Sequence, residues 1–190
     1  MIRKAVAGDR AQVLALYKLV AAIPDGIART PGEVTEDYVD GFMQKAASHG
    51  LELVWEEKEE GEGRGARIVG EIHAVCPGIA SLSHLLTDLT IAVAPDAQGR
   101  GVGRALFQTL LDEVTFNLPR IHRVELFARV SNEKARNLYK SLGFVEEGRL
   151  RARVNNAQGI AEDDTLMGWL RPAAFQHPAI SPTTNPKDLA

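Results

Sequence analysis

The sequence predicts one α/β domain with a mixed central sheet of about seven strands and about four flanking helices. Three observations predict this fold. Strand-like and helix-like segments alternate along residues 2–170, a glycine-rich turn joins a strand to an amphipathic helix, and 45% of the 190 residues are hydrophobic, enough for one substantial core. We place the domain at residues 1–171 and treat the proline-containing residues 172–190 as an extended or flexible tail.

The N-terminal part is predicted as one strand followed by two helices. Residues 2–6 form a short strand, and Asp9 with Gln12 predicts a capping box at the start of the first helix. The Pro and Gly content of residues 24–33 indicates a loop. A second amphipathic helix begins near Thr35.

The middle of the chain is predicted as three strands. Residues 51–56 and 67–75 pair with each other, and the charged, glycine-rich residues 57–65 between them form a solvated hairpin tip without a role in chemistry. A connection at 77–87 leads to the third strand at about 86–94. This connection is longer than a hairpin needs, which favours a functional role.

The remaining elements follow a glycine-rich turn. A helix begins at Val102, and the pattern then predicts a strand at 121–128, a helix at 132–142, and two strands at 144–151 and 165–170.

Composition excludes several classes of protein. The formal net charge of −3 argues against a nucleic-acid-binding protein that relies on a basic face, and we find no apolar run long enough to span a membrane. Residues 1–5 lack the apolar core of a signal peptide. The single cysteine, Cys76, allows no internal disulfide, so we expect a cytoplasmic protein. The scattered histidines give no metal-ligand spacing, and we expect no metal.

The glycine-rich turn at 96–106 is the most informative motif. A turn of this kind before a helix presents unpaired N–H groups at the positive end of the helix dipole, which suits a phosphate group. Arg100 and Arg104 add positive charge. No Lys-Ser or Lys-Thr follows the second glycine, which excludes a P-loop, and Arg104 stands where a dinucleotide fingerprint needs its third glycine. The pattern that fits is Gln98-x-x-Gly101-x-Gly103.

This pattern resembles the acetyl-CoA pyrophosphate loop of the GNAT superfamily of N-acetyltransferases. Residues 132–144 are similar to the downstream signature of that family (Asn, then Ala, Leu-Tyr and Gly-Phe), and residues 88–95 are similar to its acidic-Leu-x-Ile-x-Val-x-Pro strand. The resemblance covers most of residues 1–171. It implies a GNAT-type acyl-CoA N-acyltransferase fold, in which the strands at 86–94 and 121–128 splay apart around the pantetheine arm of the coenzyme.

The resemblance implies an acyltransferase that moves the acetyl group of acetyl-CoA directly to a primary amine of a small molecule or peptide, in a ternary complex and without a metal. Backbone N–H groups around Ile91 and Val93 would hold the pantetheine arm and polarise the thioester carbonyl. The coenzyme-binding residues that it implies are Ile91, Ala92, Val93, Gln98, Gly99, Arg100, Gly101, Val102, Gly103, Arg104, Asn132, Ala135 and Tyr139.

Two side chains are the catalytic candidates. Tyr139 matches the family tyrosine near the coenzyme sulfur and is the predicted general acid, although packing on its helix would also account for it. Asp88 is the weaker candidate for the base. It is one methylene shorter than the Glu of many relatives, which favours action through a water molecule, and pairing with an arginine or capping a loop would explain it equally well. Weaker substitutes for the base are Glu71, His73, His84 and Glu125.

Asn132 has two interpretations, and Ala135 has a steric one. Asn132 suits a helix N-cap as well as a coenzyme contact, and Ala135 is small enough to let the pantetheine arm approach its helix.

Other functions stay open. A regulatory module that binds acetyl-CoA without turnover would share the turn but would not need Tyr139. The same fold could use another acyl-CoA, such as succinyl-CoA, with a basic pocket supplied by Arg29, Arg151 or Arg153. The segments expected to select the acceptor are 24–33, 77–87 and 150–163, and a small primary amine is preferred. Dimerisation through the late strands is common in the superfamily, and the sequence leaves it open.

Overall fold

A computed structural model describes residues 1–24, 26–58, 65–156 and 158–172. In these residues one seven-stranded sheet has the order β1-β2-β3-β4-β5-β7-β6, with four α-helices around it, as predicted. In chain order the elements are β1 (Ile2–Lys4), α1 (Arg10–Ala21), α2 (Glu36–His49), β2 (Gly50–Lys58), β3 (Ala66–Val75), β4 (Leu85–Val93), α3 (Val102–Asn117), β5 (Arg123–Arg129), α4 (Glu133–Ser141), β6 (Val145–Asn155) and β7 (Ala161–Leu170).

The sheet is mixed because β4 and β5 run parallel while the other neighbouring strands are antiparallel. This parallel pair has a very short ladder, in which Leu85 pairs with Arg123 and Leu86 with Val124. Both strands continue for several residues beyond these pairs without pairing further with each other. The splay that the resemblance implied is therefore present in this chain.

The helices cover both faces of the sheet. Side chains alternate between the faces of a strand, and on β3 Glu71 and His73 contact side chains of α1 and α2. The opposite face of β3 lies against α3, since a Cβ added at Gly70 would meet Val102 and Leu106 at 2.9 Å. Only a glycine at this position lets α3 pack so closely on the sheet.

The predicted capping box at the start of α1 is wrong. The Asp9 carboxylate accepts hydrogen bonds from Arg3 at 2.7 and 2.8 Å and from the Val6 N–H at 2.9 Å. The Gln12 side chain accepts from the Ile68 N–H of β3 at 2.9 Å. Both side chains are used in tertiary contacts, and a pattern of local spacing cannot reveal that competition.

Several element boundaries also differ from the prediction. Residues 57 and 58 belong to β2 and not to a hairpin tip, while residues 59–64 lie outside the described residues. Thr35 caps α2 as expected, accepting from the Tyr38 N–H at 3.2 Å. The predicted tail lies outside the described residues from position 173 onward.

None of the helices among the described residues combines the length and the apolar character needed to cross a membrane.

Candidate active site

A cavity of about 740 Å³ occupies the gap between the splayed strands. Residues 88–91 of β4 and 126–129 of β5 line its two sides. Helices α2 and α4 supply further wall residues, and β3, β6 and β7 each contribute side chains. Other side chains of the wall belong to Arg29, Asp37, Tyr38, Phe42, Lys45, His73, Asn132, Ala135, Tyr139, Arg153 and Asp164.

The turn that precedes α3 has the backbone geometry of an anion site. Gly99 and Gly101 adopt left-handed φ values of 75° and 86°, which side-chain-bearing residues rarely adopt. A Cβ added at either glycine would meet nothing within 4 Å, so the turn is open on that side. The Ala105 N–H donates to the Gly101 carbonyl, which is the first hydrogen bond of the helix. The N–H groups of residues 102–104 therefore precede the hydrogen-bonded part of the helix. These groups fit a phosphate ligand.

Three side chains hold this turn in place. Gln98 donates to the Val93 carbonyl at 3.2 Å, tying the turn to the end of β4. Arg100 forms a two-point pair with Glu57 of β2, the shorter contact being 2.7 Å. Arg104 donates to the Ser141 hydroxyl of α4 at 2.9 Å. The two arginines therefore stay beside the turn, although Glu57 partly neutralises Arg100. The role of Glu57 was not predicted from the sequence, because the charged run around it favoured a solvated hairpin tip.

The turn and the cavity meet at β4. A Cβ added at Gly103 would lie 3.7 Å from the Ile91 Cδ1 and 3.8 Å from Val93, and Ile91 also lines the cavity. Ala92 faces the other way and is buried beside Glu71, its partner on β3. The structure thus brings Ile91, Asn132, Ala135 and Tyr139 of the predicted coenzyme set into the cavity wall, while Ala92, Val93 and residues 98–104 lie outside that wall.

Asn132 is the N-cap of α4. Its side-chain oxygen accepts from the Ala135 N–H at 3.1 Å. The capping role is therefore confirmed. Because Asn132 also lines the cavity, a coenzyme contact stays compatible with the cap.

Tyr139 combines packing with a free hydroxyl. Its ring packs against Phe107 and Phe144, with centroid distances of 5.0 and 6.1 Å. Among the described residues the hydroxyl has no hydrogen-bond partner, and Tyr139 lines the cavity. Burial raises the pKa of Tyr139 to about 12, so the hydroxyl keeps its proton at neutral pH and acts as a donor.

Asp88 lies on a bulge of β4. Its φ is 52°, and the pairing with β3 shifts between His73 and Val75, so that β4 carries one extra residue there. A regular strand would place Asp88 and Thr90 on one face, and this alternation does not hold through the bulge. The side chain is exposed at the cavity wall, and its carboxylate contacts no partner in the part of the chain that the structure describes.

A buried polar cluster joins α1 to β3 beneath the cavity. The Tyr17 hydroxyl donates to Glu71 Oε2 at 2.6 Å, and the His73 Nδ1 lies 3.1 Å from Glu71 Oε1 and 3.3 Å from the Tyr17 oxygen. All three residues are buried, and Glu71 has no exposed surface. The sequence signal was an acidic residue and a histidine two apart on one strand. It could not show that Tyr17, 54 residues earlier, completes the cluster.

The charged wall of the cavity is mixed in sign. The Arg29 guanidinium stacks on the Tyr38 ring at 4.1 Å from its centroid. Arg153 stacks on Phe127 at 3.9 Å and pairs with Asp164 at 2.7 Å. Asp37 and Lys45 also line the wall, whereas Arg151, His84 and Glu125 do not. Glu125 pairs with Arg123 at 3.1 Å.

No group of three or more His, Cys, Asp or Glu side chains within the described residues could hold a metal ion.

Comparisons with known proteins agree with this geometry. A family model described as "Acetyltransferase (GNAT) domain" matches residues 48–146. The spermidine N(1)-acetyltransferase of Vibrio cholerae is 40% identical over 67 residues, which are 35% of this chain and 38% of that protein. The ribosomal protein bS18-alanine N-acetyltransferase of Salmonella typhimurium is 42% identical over 81 residues, or 43% of this chain and 53% of that protein. The matches thus span about half, or less, of the length of these two relatives.

A solved structure shares the fold over nearly the whole chain. It is a GNAT superfamily phosphinothricin acetyltransferase from Sinorhizobium meliloti in complex with AcCoA. The similarity has a TM-score of 0.75 with 21% sequence identity, and it covers 95% of this chain and 94% of that chain.

Proposed function

The chain belongs to the GNAT acetyltransferase family, and from this premise we propose that it transfers the acetyl group of acetyl-CoA directly to a primary amine of a small molecule or peptide. One observation carries the proposal. The gap between β4 and β5 opens into a cavity lined by Tyr139, and it lies beside an anion-binding turn at the start of α3.

The turn supplies the coenzyme's phosphate site. The N–H groups of residues 102–104 and the positive end of α3 suit the diphosphate. Gly99 and Gly101 leave their side of the turn open to it. Arg104, held by Ser141, and Arg100 add positive charge at the same place. Removing the left-handed geometry of either glycine should therefore weaken coenzyme binding.

The splay supplies the site for the pantetheine arm and the thioester. Beyond Leu86, the edge of β4 that faces β5 has no strand partner, so backbone groups around Ile91 are available to a ligand. An N–H group at this edge would donate to the thioester carbonyl as negative charge develops on its oxygen. Ala135 and Asn132 lie across the gap at the start of α4.

Tyr139 assists departure of the sulfur. When the amine attacks the carbonyl carbon, the carbon–sulfur bond breaks and its electron pair moves to sulfur. A neutral tyrosine hydroxyl at the cavity wall can donate a hydrogen bond to that sulfur. The raised pKa of Tyr139, about 12, keeps the hydroxyl protonated over the whole working range of pH.

The amine must lose a proton before it attacks, because an aliphatic amine is protonated at neutral pH. Two side chains of the cavity wall that lie on β4 or pair with it could accept this proton. Asp88, the base predicted from the sequence, is exposed on its bulge, and His73 lies above the buried cluster with Glu71 and Tyr17.

The acceptor class is proposed from the cavity and from the relatives. Asp37 and Asp88 at the wall attract an ammonium group. The curated relatives are named for spermidine and for the alanine of a ribosomal protein, so a polyamine and a peptide with N-terminal alanine are the two amines to try first. The expected cytoplasmic location, the homodimer and the domain boundary at residue 171 stay predictions.

An acetyl-transfer assay tests the proposal. Acetyl-CoA is mixed with the purified chain and with spermidine, putrescine or a short alanine-terminated peptide, and free thiol release and the mass of the product are measured. We expect thiol release that depends on the amine, with a product heavier by one acetyl group. Coenzyme binding without transfer to any amine would instead indicate a regulatory module. Faster transfer from succinyl-CoA than from acetyl-CoA would show that succinyl-CoA is the acyl donor, with Arg29 and Arg153 as cations at the wall for its distal carboxylate.

A further inference from the structure

We infer that His73 is the general base of the acetyl transfer, with Glu71 and Tyr17 as the residues that position it. The inference deepens the proposed function and rests on it. It assigns to the proton a specific acceptor atom, His73 Nε2, in place of the carboxylate that the sequence pattern favours.

The hydrogen bonds around His73 fix its neutral tautomer. Tyr17 has one hydroxyl proton, and the 2.6 Å contact with Glu71 Oε2 uses it. Burial, together with the nearby Glu71, raises the pKa of Tyr17 well above its usual range, so this proton stays in place. The His73 Nδ1 then faces two acceptors, the second Glu71 oxygen at 3.1 Å and the tyrosine oxygen at 3.3 Å. Nδ1 therefore carries the imidazole proton, and Nε2 keeps its lone pair.

The Nε2 atom is open to a ligand. Within the described residues it has no hydrogen-bond partner. The fully buried side-chain polar atoms without a partner in this part of the chain belong to Glu52, Trp55, Glu162 and Asp164. His73 is not among them, so its unpaired Nε2 is not fully buried. Since His73 lines the cavity, the small exposed part of this residue, 4% of its surface, lies where an amine would bind.

The ring is held rigidly in this orientation. Phe42 stacks on it with centroids 4.1 Å apart and an interplanar angle of 8°. On the next strand, Thr90 of β4 pairs with His73, two residues from the Asp88 bulge. A base held on strands and by stacking is positioned more accurately than a side chain on a bulge.

The charged and titratable groups around His73 come from every element packed on it. Tyr17 of α1 and Glu71 contact His73 directly, and Glu52 of β2 is its partner in the sheet. The charged and titratable groups that line the same cavity include Arg29, Asp37, Tyr38, Lys45 and Asp88.

The proton balance closes with these groups. The ammonium form of the acceptor gives one proton to His73 Nε2, and the imidazolium formed is stabilised by the Glu71 carboxylate at Nδ1. The free amine then forms the new carbon–nitrogen bond as the carbon–sulfur bond breaks. The second nitrogen-bound proton passes to the sulfur, which leaves as the thiol of coenzyme A. His73 finally releases its proton to water and is ready for the next cycle.

Imidazole suits this task better than an exposed carboxylate. The imidazole has two ring nitrogens, so Glu71 can hold Nδ1 while Nε2 faces the cavity and accepts the proton. Asp88 is exposed at the wall. Its charge would attract the ammonium group and so act on amine binding rather than on the proton transfer.

Kinetics of four variants test the assignment. The rate is measured from pH 5.5 to 9.5 with spermidine or the alanine-terminated peptide, whichever the wild type acetylates. We expect His73→Gln to lower kcat by roughly 10² to 10⁴-fold and to remove the fall in rate at acid pH. Asp88→Asn should raise KM for the amine and keep that fall. His49→Gln, at an exposed histidine at the end of α2, is the matched control and should match the wild type.

Glu71→Gln separates positioning from folding. This variant keeps the histidine but removes the negative charge that stabilises the imidazolium. The acid limb of the pH profile should therefore move to lower pH, with kcat reduced. A merely structural cluster would lower the melting temperature and leave the position of that limb unchanged.

The tautomer of His73 can be measured in the wild type by spectroscopy. This measurement does not depend on the folding of a variant or on a known substrate. Long-range proton–nitrogen NMR on histidine labelled with ¹⁵N reports which ring nitrogen carries the proton. We expect the His73 signal to show a protonated Nδ1 at neutral pH. A protonated Nε2 would overturn the inference, as would wild-type-like kcat and an unchanged acid limb in His73→Gln. Failure of the wild type to acetylate any amine would instead overturn the proposed function itself.

Discussion

The hydroxyl of Tyr139 has the most direct role proposed for a single group. Phe107 and Phe144 hold the ring, and these contacts do not involve the hydroxyl. Tyr139→Phe keeps the packing and removes the proposed donor to the sulfur. We expect kcat to fall by about 10² to 10⁴-fold, with the dissociation constant of acetyl-CoA unchanged.

Stopped-flow measurement of a single turnover checks this expectation, since it isolates the chemical step from product release. An unchanged rate of that step in the phenylalanine variant would exclude Tyr139 as the donor. A loss of coenzyme affinity of the same size as the loss of rate would assign it to binding instead.

Glu52 carries a buried carboxyl group, and its burial should make the stability of the fold depend on pH. It is 8% exposed, one of its oxygens has no partner among the described residues, and burial beside Glu71 raises its pKa from 4.5 to about 8. Below about pH 4.5 it is protonated in both the folded and unfolded states. Between about 4.5 and 8 the unfolded state ionises first, so the folded state loses stability as pH rises.

Glu52→Gln should remove this loss. We expect the free energy of unfolding of the variant to exceed that of the wild type by on the order of 5 kcal/mol at pH 9, and to match it near pH 4.5. Urea unfolding at the two pH values measures the difference. Glu36→Gln, at an exposed carboxylate of α2, is the control and should show no such pH-dependent gain. If the free energy of unfolding depends on pH equally in the wild type and in Glu52→Gln, burial does not raise the pKa of Glu52.

At the scale of the element, α3 illustrates what the sequence could predict. The glycines at 99, 101 and 103 predicted a turn open to phosphate, and the structure gives two of them left-handed φ values. The same reasoning missed Glu57, because its contact with Arg100 joins positions 43 residues apart. Local spacing reveals backbone geometry, whereas it does not reveal which distant side chain neutralises a charge.

At the C-terminal end of α3, one arginine side chain donates to several backbone carbonyls. Arg171 is 3% exposed and follows β7. Its guanidinium donates to the carbonyls of Val114, Thr115, Leu118 and Ile121 at and beyond the last turn of α3. This cluster satisfies carbonyl groups that a helix end leaves without partners.

Arg171→Met should therefore destabilise the fold by about 3 kcal/mol, because it leaves several buried carbonyls without donors. Arg120→Met, at an exposed arginine in the same region, should change stability by less than about 0.5 kcal/mol. Thermal and urea unfolding compare the two variants. A loss for Arg171→Met as small as that of Arg120→Met would show that water replaces the guanidinium.

For the whole molecule, the order of strands and helices was predictable, since hydrophobic periodicity and the turn residues report local structure. The gap between β4 and β5 followed from the resemblance and not from periodicity. The bulge at Asp88 and the cluster of Tyr17, Glu71 and His73 were not predictable. They arise from register and from packing of α1 on β3, which are properties of the folded chain.

We propose above all that the turn before α3 and the gap between β4 and β5 together bind acetyl-CoA. Gly101→Ala tests the turn, because alanine at a φ of 86° is strained. It would shift the turn away from its binding-competent geometry and weaken binding by about five- to thirtyfold. Gly8→Ala, at a glycine without positive φ and with open space around it, is the matched control.

Isothermal titration calorimetry of acetyl-CoA into the folded wild type and these two variants is the most direct measurement. We expect a saturable heat for the wild type and for Gly8→Ala, and markedly weaker binding for Gly101→Ala. The absence of any binding heat for the well-folded wild type, at several temperatures, would contradict this proposal.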